Sequence, residues 1–185
     1  MYHKPKHPIK SITYIAMCVA LISLCAWITV PFTISFTLQL FAVFFIAAVS
    51  DWKQSFFSVL SYLVLGLAGA PVFAGFQSGI SVLFGITGGY LIGFFVASLL
   101  IGIVKCIFPE RRPLLLISMI LSLLICYGIA TLWYISVFSL SHSASSFGQA
   151  IAVCVLPFLL PDFVKIILAY ILANRLAPIL RKFEY

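Results

Sequence analysis

Two residues of this chain can do chemistry together: Asp162 and Lys165, in the stretch LLPDFVKIILAY at residues 159–170. An acid and a base three residues apart share one face of a helix. There they can neutralise each other or grip a third party between them. The run around them is apolar, and a charged side chain in hydrocarbon costs about 2.5–3.5 kcal/mol even on lenient insertion scales. Two readings meet that cost. One is a structural ion pair, because buried charges are generally paired. The other is a polar ligand site facing the interior of a helix bundle, since ionisable groups inside a membrane are functional by default. Both hold together if the pair separates to meet a ligand with N–H donors at one end and an anionic group at the other.

Chemistry elsewhere in the chain is sparse. No Gly-x-x-x-x-Gly-Lys-Ser phosphate loop occurs. Five cysteines (Cys18, Cys25, Cys106, Cys126 and Cys154) lie in apolar runs without metal-ligand spacing and read as small core residues. His3 and His7 fall in the N-terminal tail and His142 in a Ser-rich loop, none with a partner in sequence. One carboxylate at its membrane level, with no histidine beside it, does not assemble an acid–base or metal-centred enzyme. Neither catalysis, a metal nor a cofactor is expected.

The elements that must position Asp162 and Lys165 follow from composition. Of 185 residues, 64% are hydrophobic and 8% charged, with a mean hydropathy of +1.23. Soluble domains carry about 25% charged residues, so the bilayer is the solvent for this chain. The formal charge of +7 is scattered beside apolar runs and not gathered on a polar face. That pattern argues for membrane topology and against nucleic-acid binding.

Six apolar segments are candidate spans, the second and third of them short: 12–30, 37–50, 54–70, 82–107, 113–139 and 149–177. The expectation is an all-α integral membrane protein, one six-transmembrane-helix domain over 1–185, with structured outer loops. Pro31, SDWKQ (50–54), GAPVFAGFQSG (69–79), FPERRP (108–113) and SLSHSASSFGQ (139–149) separate the segments. Pro157 and Pro161 interrupt the last one and free backbone carbonyls that need new donors. With six spans, Lys4, Lys6, Lys10, Lys53, Lys105, Arg111, Arg112, Arg175, Arg181 and Lys182 all fall on one side. Cytoplasmic loops collect Lys and Arg, so both termini are expected inside. Lys165 is the exception. At ~1.5 Å per residue it lies roughly 15 Å deeper than Arg175, with Asp162 roughly 20 Å deep.

The outward loops bring polar groups to that level. Residues 28–39 carry Thr29, Thr33, Thr37 and Gln39, and PVFAGFQSG (71–79) carries Phe73, Phe76, Gln77 and Ser78. GITGGYLIGF (85–94) adds Thr87 and Tyr90. Gly85, Gly89, Gly93 and Ala97 form a small-residue row at i, i+4 spacing, which reads as close helix packing and leaves Gly88 unexplained. AMCVA (16–20) is a second small-xxx-small motif, suited either to packing inside the bundle or to a partner helix. Ala169, Ala173 and Ala177 form a third row, read as internal packing.

GLAGAPVFAGFQSGISVLFGITGGYLIGF (66–94), VPFTISFTLQ (30–39) and LPFLLPDFVKIILA (156–169) resemble the signature segments of the BioY family. That family comprises the biotin-binding S components of bacterial energy-coupling factor (ECF) transporters. The segments run in the family's order over nearly the whole chain. GITGGY stands where the family more often reads Gly-Pro-Thr-Gly-Gly-Tyr, and GFQSG is poorer in glycine than is usual there. The resemblance implies a six-helix subunit that captures biotin from outside with high affinity. Its implied partners are a transmembrane coupling protein and two cytoplasmic ATPases in the bacterial cell membrane. It further implies Asp162 on a ureido N–H and Lys165 on an anionic or carbonyl oxygen, with the individual pairing open. Gln39, Gln77, Ser78 and Tyr90 become further polar contacts and Phe73 a wall, while Ala16 and Ala20 inherit the contact with the coupling protein. The competing class is a stand-alone secondary transporter that couples to an ion through Asp162.

Overall fold

In the computed structural model, residues 8–30, 34–109, 111–141 and 147–183 are described. His3, Lys4, Lys6, His7, Pro31, Thr33 and His142 lie outside the described residues, as do the side chains of Ala177, Arg181 and Lys182. The order is α1 (Pro8–Trp27), β1 (Thr29–Val30), β2 (Phe36–Thr37), α2 (Gln39–Val49) and α3 (Trp52–Leu67). A single 3-10 turn (Ala74–Phe76) leads to α4 (Ile80–Leu83), α5 (Gly88–Ile107), α6 (Arg112–Ser141), α7 (Phe147–Cys154) and α8 (Leu156–Phe183). The two short strands pair antiparallel, Thr29 opposite Thr37 and Val30 opposite Phe36.

Four helices are long and apolar enough to cross a membrane, over Ile9–Trp27, Gly88–Ile107, Arg112–Val137 and Leu156–Leu176. Helix α2 is apolar but has 11 residues, and α3 has 16. At ~1.5 Å per residue α2 reaches roughly 16 Å, about half the hydrocarbon thickness.

The six apolar runs therefore appear as eight α-helices among the described residues, because two runs are broken. The run 82–107 divides between Leu83 and Gly88. There the backbone turns so tightly that a side chain at Gly88 would collide with the Leu83 carbonyl, which accounts for a glycine that helix packing alone left unexplained. The indole N–H of Trp133 on α6 donates to the Gly85 carbonyl at 2.9 Å and fastens this turn. The run 149–177 divides at Val155. Pro157 has no N–H for the Val153 carbonyl, and its ring crowds that group. The ladder slips instead, with Phe158 N–H on Val155 O at 3.0 Å. Pro161 does not interrupt the chain as expected: it lies inside the continuous helix α8, where its missing N–H costs one ladder bond without ending the helix.

Packing of α5 on α6 uses the small-residue row. Gly89 meets Ala130 and Trp133, and Gly93 meets Cys126. Helix α8 packs on α2, with Ala169 and Ala173 fully buried. At the other end, the Lys105 ammonium donates to the Ser50 carbonyl at 2.9 Å. The Tyr14 and Ser50 hydroxyls share a 2.8 Å hydrogen bond, tying α1, α2 and α5 together. Four of the cysteines are buried core residues as expected, but Cys106 is exposed.

Candidate functional site

Asp162 and Lys165 occupy the second and third turns of α8, 3% and 5% exposed. The Lys165 ammonium donates to Asp162 Oδ1 at 2.7 Å, so the ion pair forms. Each partner has a second contact from a different element. Tyr127 of α6 donates its hydroxyl to Asp162 Oδ2 at 2.8 Å. The ring of Phe36, on β2, lies with its centroid 3.7 Å from Lys165 Nζ, a cation–π contact that desolvation strengthens. Phe36 in turn stacks on Phe158, with ring centroids 6.4 Å apart.

A cavity opens on this pair. Its wall includes Asp162 and Lys165 from α8, Gln39 from α2, Tyr90 from α5, and Phe73 and Gln77 from the loop after α3. These are six of the seven ligand-contact residues expected from sequence, gathered from four separate parts of the chain. The seventh, Ser78, does not line it. Gly79, at φ +91°, donates its N–H to the Gly66 carbonyl at 2.8 Å. That bond draws the chain at 78–79 back over the end of α3.

Gln39 is buried and oriented. Its Nε2 donates to the Tyr62 hydroxyl at 2.9 Å, which donates onward to the Val72 carbonyl at 3.0 Å. The amide nitrogen is thus occupied by α3, and the carbonyl oxygen of the side chain is left as the acceptor. Phe73 is 1% exposed. Its ring is seated on Gly66, where any side chain would overlap it, and meets Tyr62 edge-on at 5.5 Å. Tyr90 is also tied down. Its hydroxyl donates to the Cys154 carbonyl, the group stranded by the helix break at Val155, so Tyr90 offers the cavity its ring and not a free hydroxyl. The 71–79 loop is held from outside as well. Trp27 Nε1 donates to the Pro71 carbonyl at 2.9 Å, and its ring stacks on Phe76 at 4.8 Å.

Sequence reasoning missed Tyr127, Phe36, Tyr62 and Phe158. Tyr127 carried a signal: a tyrosine in the middle of an apolar span must find a partner for its hydroxyl. Ala16 and Ala20 lie exposed on α1, on the face that also carries Ile12 and Met17, 66% and 67% exposed. Packing within the bundle does not use them. Among the described residues no group of His, Cys, Asp or Glu is placed to hold a metal ion.

Long apolar helices around a buried ion pair, beside a cavity walled mainly by apolar and aromatic side chains, define a helical membrane protein with a chamber in its interior. The BioY family model matches residues 1–182, and the chain belongs to the BioY family. The probable biotin transporter BioY of Pyrococcus horikoshii is 36% identical over 168 residues, 90% of this chain and 96% of that protein. The biotin transporter BioY of Thermotoga maritima is 35% identical over 158 residues, 85% of this chain and 89% of that one. A crystal structure of the S-component for biotin from an ECF-type ABC transporter shares the fold. Its TM-score is 0.82 at 23% identity, over 95% of this chain and 94% of that chain.

Proposed function

We propose that this chain is the substrate-binding subunit for biotin uptake through an ATP-driven ECF transporter, a transport protein and not an enzyme. The observation that carries the reading is the buried Asp162–Lys165 pair opening onto a cavity with aromatic walls, in a member of the BioY family. Biotin suits that chemistry: its ureido ring has two N–H donors and a carbonyl, its bicycle is apolar, and its valerate ends in a carboxylate. Asp162 accepts from a ureido N–H and Lys165 donates to an anionic or carbonyl oxygen. Gln39 and Gln77 add polar contacts, and Phe73 and Tyr90 supply ring faces.

The proposed topology has six crossings: α1, α2, α3, α4 with α5, α6, and α7 with α8. The short helices α2 and α3 complete the count, the loops at 28–39 and 71–79 face outward, and both termini are cytoplasmic. Lys105 and Arg175 then mark the inner face. A coupling protein docks on α1 at Ala16 and Ala20, and two ATPases drive release.

Isothermal titration of the detergent-purified chain with biotin, without nucleotide, is expected to give one ligand per chain. Equal or tighter binding of thiamine or riboflavin would overturn the assignment. Uptake that persists in cells lacking the ATPase subunits would favour a secondary transporter.

A further inference from the structure

The geometry points to Tyr127 as a positioning residue that acts on biotin binding through Asp162, an inference that rests on the ligand site proposed above. Tyr127 is 3% exposed and stands outside the cavity wall. Its hydroxyl reaches the ligand site at Asp162 Oδ2, 2.8 Å away. It approaches from α6, whereas Asp162 and Lys165 share α8, so the carboxylate is clamped between two helices.

The clamp has a specific use. In the empty protein Asp162 has two donors, the Lys165 ammonium on Oδ1 and the Tyr127 hydroxyl on Oδ2. A ligand oxygen that draws the ammonium away would leave the carboxylate as an uncompensated buried charge, which is strongly unfavourable. With Tyr127 in place the carboxylate keeps one charge-assisted hydrogen bond through that step. The same bond fixes the rotation of the Asp162 side chain, so its remaining lone pairs point where an incoming N–H donor arrives. Tyr127 never meets the ligand, yet sets what Asp162 can offer it.

Tyr127→Phe deletes the hydroxyl and keeps the ring, so it separates this role from packing. Titration with biotin is expected to show about a tenfold loss of affinity, the scale of one hydrogen bond to a charged group. The melting temperature of the empty protein should move little, and in the Asp162→Asn background the same change should cost nothing further. Tyr127→Leu, which removes the ring as well, should lower the empty protein's melting temperature. Parental affinity in Tyr127→Phe would overturn the inference, as would an equal loss in the Asp162→Asn background. So would a fall in the empty protein's stability large enough to account for the lost binding. Failure of the parent itself to bind biotin would instead overturn the proposed ligand.

Discussion

Lys165→Ala and Asp162→Asn are each expected to weaken biotin binding by roughly 30-fold or more while leaving a folded chain. Truncating one partner of a buried, hydrogen-bonded charge pair costs about 2–5 kcal/mol, much of it from stranding the other charge. Lys165→Ala leaves Asp162 with Tyr127 alone and uncovers Phe36, whose ring loses the ammonium beneath it. Asp162→Asn keeps the shape but removes the negative charge. The Lys165 ammonium then rests on a neutral amide oxygen and the Phe36 ring, and the ligand loses an anionic acceptor for its N–H. Titration of each variant beside thermal melting of the empty protein reads the two effects separately. Parental affinity in both variants would leave the pair a structural feature only.

The other large effect is expected at the opposite end of the function. Ala16→Trp or Ala20→Trp should preserve biotin binding by the isolated chain and abolish assembly with the coupling protein and ATP-driven uptake. The two residues lie one turn apart on α1, so their methyls share a face, and that face is exposed. In lipid there is little hydrophobic drive for two helices to meet, and close approach of small residues supplies the contact through dispersion. A bulky ring would hold the helices apart and forfeit much of that attraction. Neither residue lines the cavity, so the ligand site should not feel the change. Pull-down beside a binding titration separates the outcomes. Intact assembly in both variants would remove Ala16 and Ala20 from the proposed interface, and loss of binding along with assembly would mean the fold had been disturbed.

The legible parts of this protein were those where sequence alone states a cost. Asp162 and Lys165 announce themselves because charge in hydrocarbon demands a reason, and their spacing already implied the bond between them. The apolar runs were legible for the same reason. The breaks at 84–87 and at Val155 were less so, because both flanks are equally apolar and hydropathy does not register a turn between them. Pro157 signalled the second break, but Pro161 gave the same signal and lies within continuous helix. The settings of Ser78 and Tyr90 were hidden because partners remote in sequence fix them: Gly79, next to Ser78, bonds the Gly66 carbonyl, and the Tyr90 hydroxyl donates to the Cys154 carbonyl. Tyr127 signalled that its hydroxyl needed a partner, but not which one, because that partner is 35 residues away on another helix.

Trp27 gives the protein a built-in optical reporter. Of its three tryptophans, Trp133 is tied to the Gly85 turn and Trp52 backs onto Gly102. Trp27 alone is stacked on and bonded to the loop that carries Phe73 into the cavity wall. A ligand that pressed on Phe73, as the proposed site has it, would shift the surroundings of that indole. Biotin should therefore change the intrinsic emission of the unlabelled protein, and Trp27→Phe should silence the change while the titration enthalpy persists. Ligand arrival could then be timed by stopped-flow fluorescence, without a dye and before any partner subunit is added.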